Sequence, residues 1–279
     1  MSTFGGKMDH KVGVSLLLVL LLGLCTAQPE DGSNAAENPA GQSDKEGIST
    51  VILRMNNATL NRLHEGDVVI PTTRNGYKCL NKQYSCFWAK SPNGLVEVPF
   101  IIDEKYGESE KKVILKAMKA FEPKTCIRFV PHKKERAYLS IVPNFGCSSL
   151  VGRIGEKQLV SLQIPGCVDH GIIQHELLHA LGFYHEHNRS DRDKYVKINW
   201  DNIMKPFWKD FQLMDTDNLG TKYDYSSVMQ YGKTAFGTNG LQSIVPIPDP
   251  NVPIGQRVGM SDTDILRINK LYKCSNSKG

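Results

Sequence analysis

The chain has 279 residues, an apolar fraction of 40% and a formal net charge of +5. This length suffices for one large domain or two small ones, and the apolar fraction is that of a globular protein with a core. Because acidic and basic residues are both scattered along the chain, the mild positive charge gives no indication of nucleic-acid binding, and we expect no nucleic-acid partner.

The N-terminal region has the pattern of a secretory signal peptide. Lys7 and Lys11 precede an apolar run over residues 12–24, and Ala27 supplies a small residue for cleavage. The run is too short to favour a membrane span. We therefore predict a signal peptide over residues 1–27, a secreted extracellular protein with secretory granules as a place of storage, and no membrane span after signal removal.

Six of the seven cysteines follow this signal, which predicts three disulfides in an oxidising compartment. Cys79 and Cys86 are close enough to close a short local loop. The other four are expected to pair among themselves: Cys126, Cys147, Cys167 and Cys274. None of the six has the CxxC spacing of a cysteine zinc site.

A segment without a core of its own precedes the main domain. Residues 28–47 have almost no apolar content, which predicts disorder, whereas the pattern over residues 49–70 predicts a helix and then an extended stretch. Arg74 stands in a turn-rich stretch and is a candidate processing site. We predict a propeptide over residues 28–74 and one domain over residues 75–279.

The main domain begins with strands and one helix. A strand is predicted over residues 95–103 and a helix over residues 107–121, which Pro123 ends. Further strands are predicted over residues 126–132, 137–144 and 158–164.

The second half of the domain has a weaker pattern. A helix interrupted by Pro206 is expected over residues 198–213, and residues 215–260 are expected to be largely irregular. Ser261 opens a capping box for a last helix. That helix is predicted to turn three apolar residues inward: Ile265, Ile268 and Leu271.

Residues 175–187, HELLHALGFYHEH, hold four of the eight histidines. A buried helix is predicted over residues 172–181, with Asp169 capping its start. On this helix His175 and His179 are four positions apart, so both rings project from one face toward a single ion.

The residues after the helix complete a candidate metal site. Gly182 can take the left-handed conformation that turns the chain sharply, which lets His185 return as a third ligand. Three neutral imidazoles leave one tetrahedral position for water, and Glu176 can accept a proton from that water. We predict one zinc ion per subunit, Zn2+, and amide hydrolysis as the reaction, so that protein substrates are candidates. His187 lies outside the pattern and is predicted to be a surface or loop residue.

The spacing HExxHxxGxxH is the metzincin signature. The continuation NRSDRDKYVKINWDNI and the later YDYSSVMQYG resemble the astacin family, and the resemblance covers about residues 88–274. It implies an α+β zincin fold in which an N-terminal twisted mixed sheet with two long helices and a largely irregular C-terminal subdomain enclose a zinc cleft. It also implies a zinc metalloendopeptidase.

The resemblance implies roles for individual residues. His175, His179 and His185 would be the zinc ligands and Glu176 the catalytic base. Tyr231 would be a fifth ligand at rest that stabilises the oxyanion during catalysis. Two further implications are Met229 as a hydrophobic floor beneath the metal and the disulfide pairs Cys126–Cys274 and Cys147–Cys167, which leave Cys79 with Cys86.

The extra N-terminal cysteine pair resembles the fish hatching enzymes, or choriolysins, within this family. That likeness implies egg-envelope (chorion) glycoproteins as substrates. The stretch RLHEGDVV resembles the propeptide motif of the family, in which an aspartate, here Asp67, binds the zinc and displaces water. The chain's own propeptide would then inhibit a zymogen until cleavage near Arg74.

Four residues leave questions open. Gln230 stands where the family commonly has histidine, and we expect it to alter substrate contacts. Glu186 would either bind the mature N-terminus, as in short family members, or serve as a structural ion-pair partner. Asn57 and Asn188 begin glycosylation sequons, and we expect little use of Asn188 because it adjoins the metal site.

Two alternatives to a hatching enzyme remain at this level. One is a secreted astacin-like protease of haematopoietic, epithelial or digestive tissue, which has the same chemistry. The other is a noncatalytic zinc-stabilised binding domain, which would need the metal ligands but not Glu176.

Overall fold

The computed structural model of the protein describes residues 46–69 and 86–275, which all lie within one compact unit, residues 44–279. The predicted signal peptide, the candidate processing site Arg74 and Cys79 lie outside the described residues. Across the two described ranges, no helix is both long and apolar enough to cross a membrane.

In the described part of the chain, one layer of the fold is a mixed sheet of seven strands. In chain order they are β1 Leu63–His64, β2 Val68–Val69, β3 Val96–Ile102, β4 Ile127–Pro131, β5 Tyr138–Val142, β6 Cys147–Ser149 and β7 Lys157–Leu162. The spatial order is β1-β2-β6-β7-β5-β3-β4. Strands β4, β3, β5 and β7 run parallel to one another, and β6 is antiparallel to β7.

The central strands form where the sequence alternates or runs apolar. In β3, Val96 and Val98 point into the core while Glu97 between them is exposed. Val98 pairs with Phe129 of β4, so that β-branched and aromatic side chains face the same core. The strands predicted at 95–103, 126–132, 137–144 and 158–164 are all present within a few residues, and β6 is an addition.

Within residues 46–69 and 86–275, four α-helices accompany the sheet: α1 Ile48–Asn56, α2 Glu108–Lys119, α3 His170–Ala180 and α4 Asp262–Leu271. Their ends follow the predicted signals. The Asp169 side chain accepts a hydrogen bond from the Gly171 N–H at the start of α3, and Ser261 with Asp264 forms a reciprocal capping box on α4.

Helix α3 is surrounded by protein. It packs on α2 and on β6 and β7, and every residue from Gly171 to Ala180 is buried. The apolar side chains of this helix belong to the main hydrophobic cluster between the sheet and the helices: Ile172, Ile173, Leu177 and Leu178. A helix so enclosed holds its polar side chains in fixed positions, which suits a metal site.

Disulfides connect the sheet to the chain around α3 and α4. Cys126, just before β4, is joined to Cys274 after α4, and Cys147 in β6 is joined to Cys167 in the loop before α3. Cys86 is also disulfide-bonded.

The chain after α3 forms a second part with little regular structure. Two short strands pair antiparallel, β8 Val196–Ile198 and β9 Ile244–Pro246, and neither was predicted. The helix predicted over residues 198–213 is wrong, because this stretch forms 3-10 turns at Trp200–Asn202 and Lys205–Phe211. Pro206 lacks an N–H group and disfavours the α conformation in the residue before it, so an α-helix cannot run through.

Residues 48–69 lie against both parts of the fold. Ile48 and Ile52 of α1 are fully buried in the main hydrophobic cluster. Leu53 and Leu60 pack on the second cluster, which the C-terminal part forms around residues such as Phe236. The predicted succession of helix and extended chain in this segment is present, with β1 and β2 added to the edge of the sheet at β6.

Candidate active site

The three histidines of the motif converge in the structure. His175 and His179 project from α3, and Gly182, with φ at 107°, turns the chain so that His185 returns beside them. The Nε2 atoms of His175 and His185 lie 3.1 Å apart. All three rings are almost fully buried.

Each of the three rings has an acceptor on its Nδ1 atom. His175 Nδ1 lies 2.8 Å from the Val228 carbonyl, and His179 Nδ1 lies 2.7 Å from the Phe183 carbonyl. His185 Nδ1 lies 2.7 Å from a carboxylate oxygen of Glu65. Since these acceptors require N–H groups at Nδ1, the neutral rings present bare Nε2 lone pairs to one another.

Such a cluster fits a zinc ion. Tetrahedral zinc with Zn–N bonds of about 2.1 Å spaces its nitrogens about 3.4 Å apart, close to the observed Nε2 separation. His179 Nε2 has no hydrogen-bond partner among the described residues, and burial lowers the pKa of His175 to about 4 against the opposing effect of Asp67. Three buried ring nitrogens therefore converge on one place that a metal cation can occupy.

Asp67 closes the cluster from the opposite side. Its Oδ2 atom lies 3.0 Å from His175 Nε2 and 3.3 Å from His185 Nε2, and its Oδ1 atom lies 3.5 Å from His179 Nε2. The four possible ligand atoms lie within 4.8 Å of one another. Burial opposes a charge on His185, but Asp67 and Glu65 raise the pKa of that ring to about 9, so the site attracts positive charge that a metal cation can supply.

Glu176 lies beside the cluster as a buried carboxylate. Neither of its oxygens has a hydrogen-bond partner among the described residues, and the residue is fully buried. Burial, together with the nearby charge of Asp67, raises the pKa of Glu176 well above its usual value. A carboxyl group in this state can accept a proton and return it.

Tyr231 brings a hydroxyl group to the same place. Its oxygen lies 3.1 Å from Asp67 Oδ2 and donates to the Glu65 carbonyl at 2.5 Å. The ring centroid is 4.3 Å from that of His185. A phenol at this point can donate a hydrogen bond to an oxygen near the metal.

The turn before Tyr231 is fixed by the last helix. Asp264 accepts hydrogen bonds from the Ser227 hydroxyl at 2.6 Å and from the Val228 N–H at 3.0 Å. The Val228 carbonyl in turn accepts a hydrogen bond from His175 Nδ1. Met229 is buried and lines a cavity together with His185. Asp264, which belongs to the capping box of α4, thus also positions His175 through Val228.

Sequence reasoning missed Glu65 and Asp210. Both are fully buried, and the Glu65 N–H donates to Asp210 Oδ1 at 2.7 Å. Although burial opposes ionisation, hydrogen bonds from His185 and His64 lower the pKa of Glu65 to about 2. The available signal was the His64-Glu65 pair directly before Gly66-Asp67, since two titratable residues beside a zinc-binding aspartate suggest further contacts.

Glu186 forms a buried ion pair with Arg267. Arg267 donates to both carboxylate oxygens, at 2.6 and 2.8 Å, and the Asp224 N–H donates to one of them at 2.7 Å. In the uncleaved chain Glu186 is therefore part of a structural ion pair, and its binding of the mature N-terminus stays a prediction. The signal for Arg267 was a basic residue among the inward positions of the last helix.

One expectation near the site is wrong, and another gains a structural context. His187 is fully buried rather than exposed, because the turn after His185 folds inward and places its ring 4.8 Å from that of Tyr231. Gln230 is fully buried as well, accepts from the Tyr223 hydroxyl and donates to the Tyr231 carbonyl at 2.8 Å. It therefore supports the turn that carries Tyr231, and an effect of Gln230 on substrate contacts stays a prediction.

The two sequons differ in exposure. Asn57 is exposed, whereas Asn188 is fully buried and donates from Nδ2 to the carbonyls of Asp210 and Gln212. A glycan on Asn188 is incompatible with this fold.

A mixed sheet behind a buried helix that carries two histidines, with a third histidine returning from a glycine turn, defines a zinc-dependent metallopeptidase. The model of the astacin peptidase family matches residues 82–273. The chain belongs to the astacin family.

Named relatives agree with this assignment. The chain is 55% identical over 272 residues to the low choriolytic enzyme of the medaka Oryzias latipes, with 96% of this chain and all of that one covered. It is 51% identical over 271 residues to high choriolytic enzyme 1 of the same fish, with the same coverage. Against the solved structure of high choriolytic enzyme 1, described as a hatching enzyme zinc-protease, the TM-score is 0.68 at 53% identity, covering 72% of this chain and all of that one.

These comparisons confirm the main predictions from sequence. The chain is a zinc metalloendopeptidase of the astacin family that acts on protein substrates, and its fold is that of the medaka enzyme. The buried group of three histidines and one aspartate can hold one metal ion. A noncatalytic binding domain is not what the family assignment supports.

Proposed function

We propose that this chain is a secreted zymogen of a hatching enzyme, and that the matured protease digests egg-envelope proteins. The proposal of a zymogen is supported by the position of the Asp67 carboxylate, which lies 3.0 to 3.5 Å from the Nε2 atoms of all three motif histidines. The hatching role is supported by identities of 51 to 55% to choriolytic enzymes over 96% of this chain.

The residues of the site divide the chemistry among themselves. His175, His179 and His185 would hold zinc, which when bound acidifies a water molecule and polarises a carbonyl group. Glu176 takes a proton from the attacking water and passes it to the leaving amine. Tyr231 donates its O–H to the oxyanion of the substrate carbonyl, and Met229 forms part of the apolar floor.

The zymogen state follows from the position of Asp67. Its carboxylate stands where the attacking water and the substrate carbonyl must enter, so residues 28–74 act as an inhibitory propeptide. Cleavage near Arg74 separates this segment from the domain over residues 75–279. A signal peptide over residues 1–27 would deliver the precursor to the secretory pathway, where its disulfides form.

The catalytic assignment is tested by Glu176→Gln in the matured protein. We expect the rate of peptide hydrolysis to fall by about 10² to 10⁴, because the general base is lost while the three ligands remain. Glu97→Gln, at an exposed position of β3, serves as the control and should match wild type. Unchanged hydrolysis by Glu176→Gln with a full zinc complement would remove Glu176 from the mechanism.

The zymogen assignment is tested by Asp67→Ala in the uncleaved precursor. We expect this precursor to hydrolyse protein before any processing, because water and substrate gain access to the metal. Glu46→Gln, at an exposed propeptide residue paired with Arg54, should remain silent like wild type. A silent Asp67→Ala precursor that contains zinc would refute the proposed contact.

The biological role is tested with the natural substrate. Wild-type precursor is activated, its new N-terminus is sequenced, and its cleavage of isolated egg envelope is compared with its cleavage of casein, with and without chelator. We expect swelling or solubilisation of the envelope and expression in embryonic hatching gland. Activity on casein without any effect on envelope, and expression in blood-forming, epithelial or digestive tissue, would favour the other astacin-like role.

A further inference from the structure

The three motif histidines differ in what holds their outer nitrogens. His175 and His179 donate from Nδ1 to backbone carbonyls of residues 228 and 183, which belong to the mature domain. His185 instead donates to the Glu65 carboxylate at 2.7 Å, and Glu65 lies in the propeptide. Of the three partners, only the one on His185 leaves the protein if the propeptide leaves.

The position of Glu65 is fixed by the surrounding chain. Its N–H donates to Asp210 Oδ1 at 2.7 Å, and its carbonyl accepts from the Tyr231 hydroxyl at 2.5 Å. Its backbone lies in the left-handed region, with φ at 54°, which a residue with a side chain rarely adopts. Glu65 is fully buried and both of its backbone groups are hydrogen-bonded. The surrounding fold therefore holds its strained backbone in place and directs its carboxylate toward His185.

The residue after Glu65 contributes to this geometry. Gly66 has φ at 89°, and a Cβ atom there would lie 2.5 Å from Leu53 Cδ2 and 3.0 Å from Phe236 Cζ. Two successive left-handed residues thus direct Glu65 and Asp67 to different atoms of one site. Glu65 reaches the outer nitrogen of His185, while Asp67 reaches the inner nitrogens.

We propose that Glu65 is a positioning residue for the third zinc ligand, and that the propeptide therefore makes the precursor hold its metal more tightly than the matured enzyme does. A carboxylate on the outer nitrogen fixes the ring orientation and raises its basicity, and loss of such partners typically lowers metal affinity 10- to 100-fold. The inference rests on the proposed zymogen. It gives the propeptide a second task, which is to retain zinc until activation.

The test measures zinc release from the uncleaved, zinc-loaded precursor into an excess of a chromogenic chelator. We expect Glu65→Ala to release zinc about 10 to 100 times faster than wild type. Glu65→Gln, which keeps an acceptor oxygen but loses the charge, should lie between the two. Glu46→Gln provides the matched propeptide control and should release zinc at the wild-type rate.

Two further readouts separate positioning from simple docking of the propeptide. The Glu65→Ala precursor should stay silent toward casein, because Asp67 still blocks the site, although it loses zinc faster. After maturation all the variants yield the same polypeptide, so their release rates should converge on one value that is faster than that of the wild-type precursor.

Several results would overturn the proposal. Zinc release from Glu65→Ala at the wild-type rate would show that the carboxylate does not support His185. A Glu65→Ala precursor that hydrolyses casein would show that Glu65 docks the propeptide rather than the ligand. If Glu65→Ala does not fold, the isosteric Glu65→Gln is used to test the proposal. Zinc release from Glu65→Gln at the wild-type rate would then count against it. None of these results removes the zymogen itself, which the Asp67→Ala precursor tests separately.

Discussion

Tyr231 shows how much of the site depends on single polar atoms. Its ring is enclosed between His185 and His187, with centroid distances of 4.3 and 4.8 Å, so removal of the hydroxyl leaves the packing intact. We predict that Tyr231→Phe lowers kcat of the matured enzyme by about 10² to 10³ with little change in KM, the size of effect seen when one oxyanion donor is lost.

The control for this prediction is Tyr225→Phe. The Tyr225 hydroxyl lies within hydrogen-bond distance of the carbonyls of Tyr195 and Ile247, away from the histidine cluster, so its loss should leave kcat close to the wild-type value. Equal kcat values for Tyr231→Phe and wild type in steady-state assays would mean that the phenol plays no part in the reaction.

Asp210 gives the precursor a pH-dependent stability. Burial raises the pKa of Asp210 to about 6, against the opposing bond from the Glu65 N–H. The folded protein therefore holds a proton on this carboxyl between the unfolded pKa, about 3.9, and about pH 6, while the unfolded chain does not. Over that window this residue contributes stability at the acidic end, and the contribution is lost as the pH rises.

Asp210→Asn should remove that contribution, because the amide keeps an acceptor for Glu65 but does not titrate. We predict that the free energy of unfolding of wild-type precursor, measured in urea, falls relative to that of Asp210→Asn by about 2 kcal/mol from pH 4 to pH 7. A difference between the two proteins that stays constant with pH would contradict the raised pKa.

At the scale of the element, helix α3 links the core to the chemistry. Gly171 in its first turn lies so close to the chain at Arg257 that a Cβ atom would be 2.0 Å from that carbonyl oxygen. The contact lets α3 pack closely enough to hold His175 and His179. The helix begins at His170, directly after its cap Asp169, so the residue that starts the helix and the glycine that packs it lie in the same turn.

Gly171→Ala should displace this helix even though alanine is the better helix former. We predict that it lowers the free energy of unfolding by about 1 to 3 kcal/mol and speeds zinc release, since overpacking shifts the backbone that carries two ligands. Leu115→Ala, at an exposed position of α2, is the control and should change neither quantity appreciably. Wild-type urea stability in Gly171→Ala would show that the loop at Arg257 yields without cost.

At the scale of the whole molecule, the metal site lies where several parts meet. Helix α3 belongs to the sheet layer, Tyr231 belongs to the second hydrophobic cluster, and Asp67 comes from the segment over residues 48–69 that we propose to be part of a propeptide. A cation bound by groups from all three should stabilise the folded precursor, because it binds the assembled site and not the unfolded chain.

We therefore predict that removing zinc with a chelator lowers the Tm of the precursor by about 5 to 10 °C, which corresponds to a few kcal/mol for a chain of this size. The His179→Ala precursor should show little further change when the chelator is added, since it lacks a ligand. The Tm is measured by calorimetry. An identical Tm of wild type with and without chelator would mean that metal does not link α3, Tyr231 and Asp67.

The sequence by itself determined the central strands, the helices of the sheet layer and the convergence of three histidines. Periodicity predicted α2 because its buried residues repeat at helical spacing, and the apolar run of α3 predicted a buried helix. The capping residues Asp169 and Ser261 marked two helix starts correctly. The zinc ligands were predictable because two lie on one helical face and the third follows a glycine turn, so their convergence needs only local geometry.

Only the tertiary structure decided which distant groups support those ligands. Glu65, Asp210 and Arg267 reach the site from far along the chain, and nothing in their local sequence specifies a partner that is 81 or more residues away. The same holds for His187, whose burial follows from packing against Tyr231 rather than from its neighbours in sequence. Local patterns reflect local backbone geometry, whereas the hydrogen bonds that tune a metal site form only when the chain has closed around it.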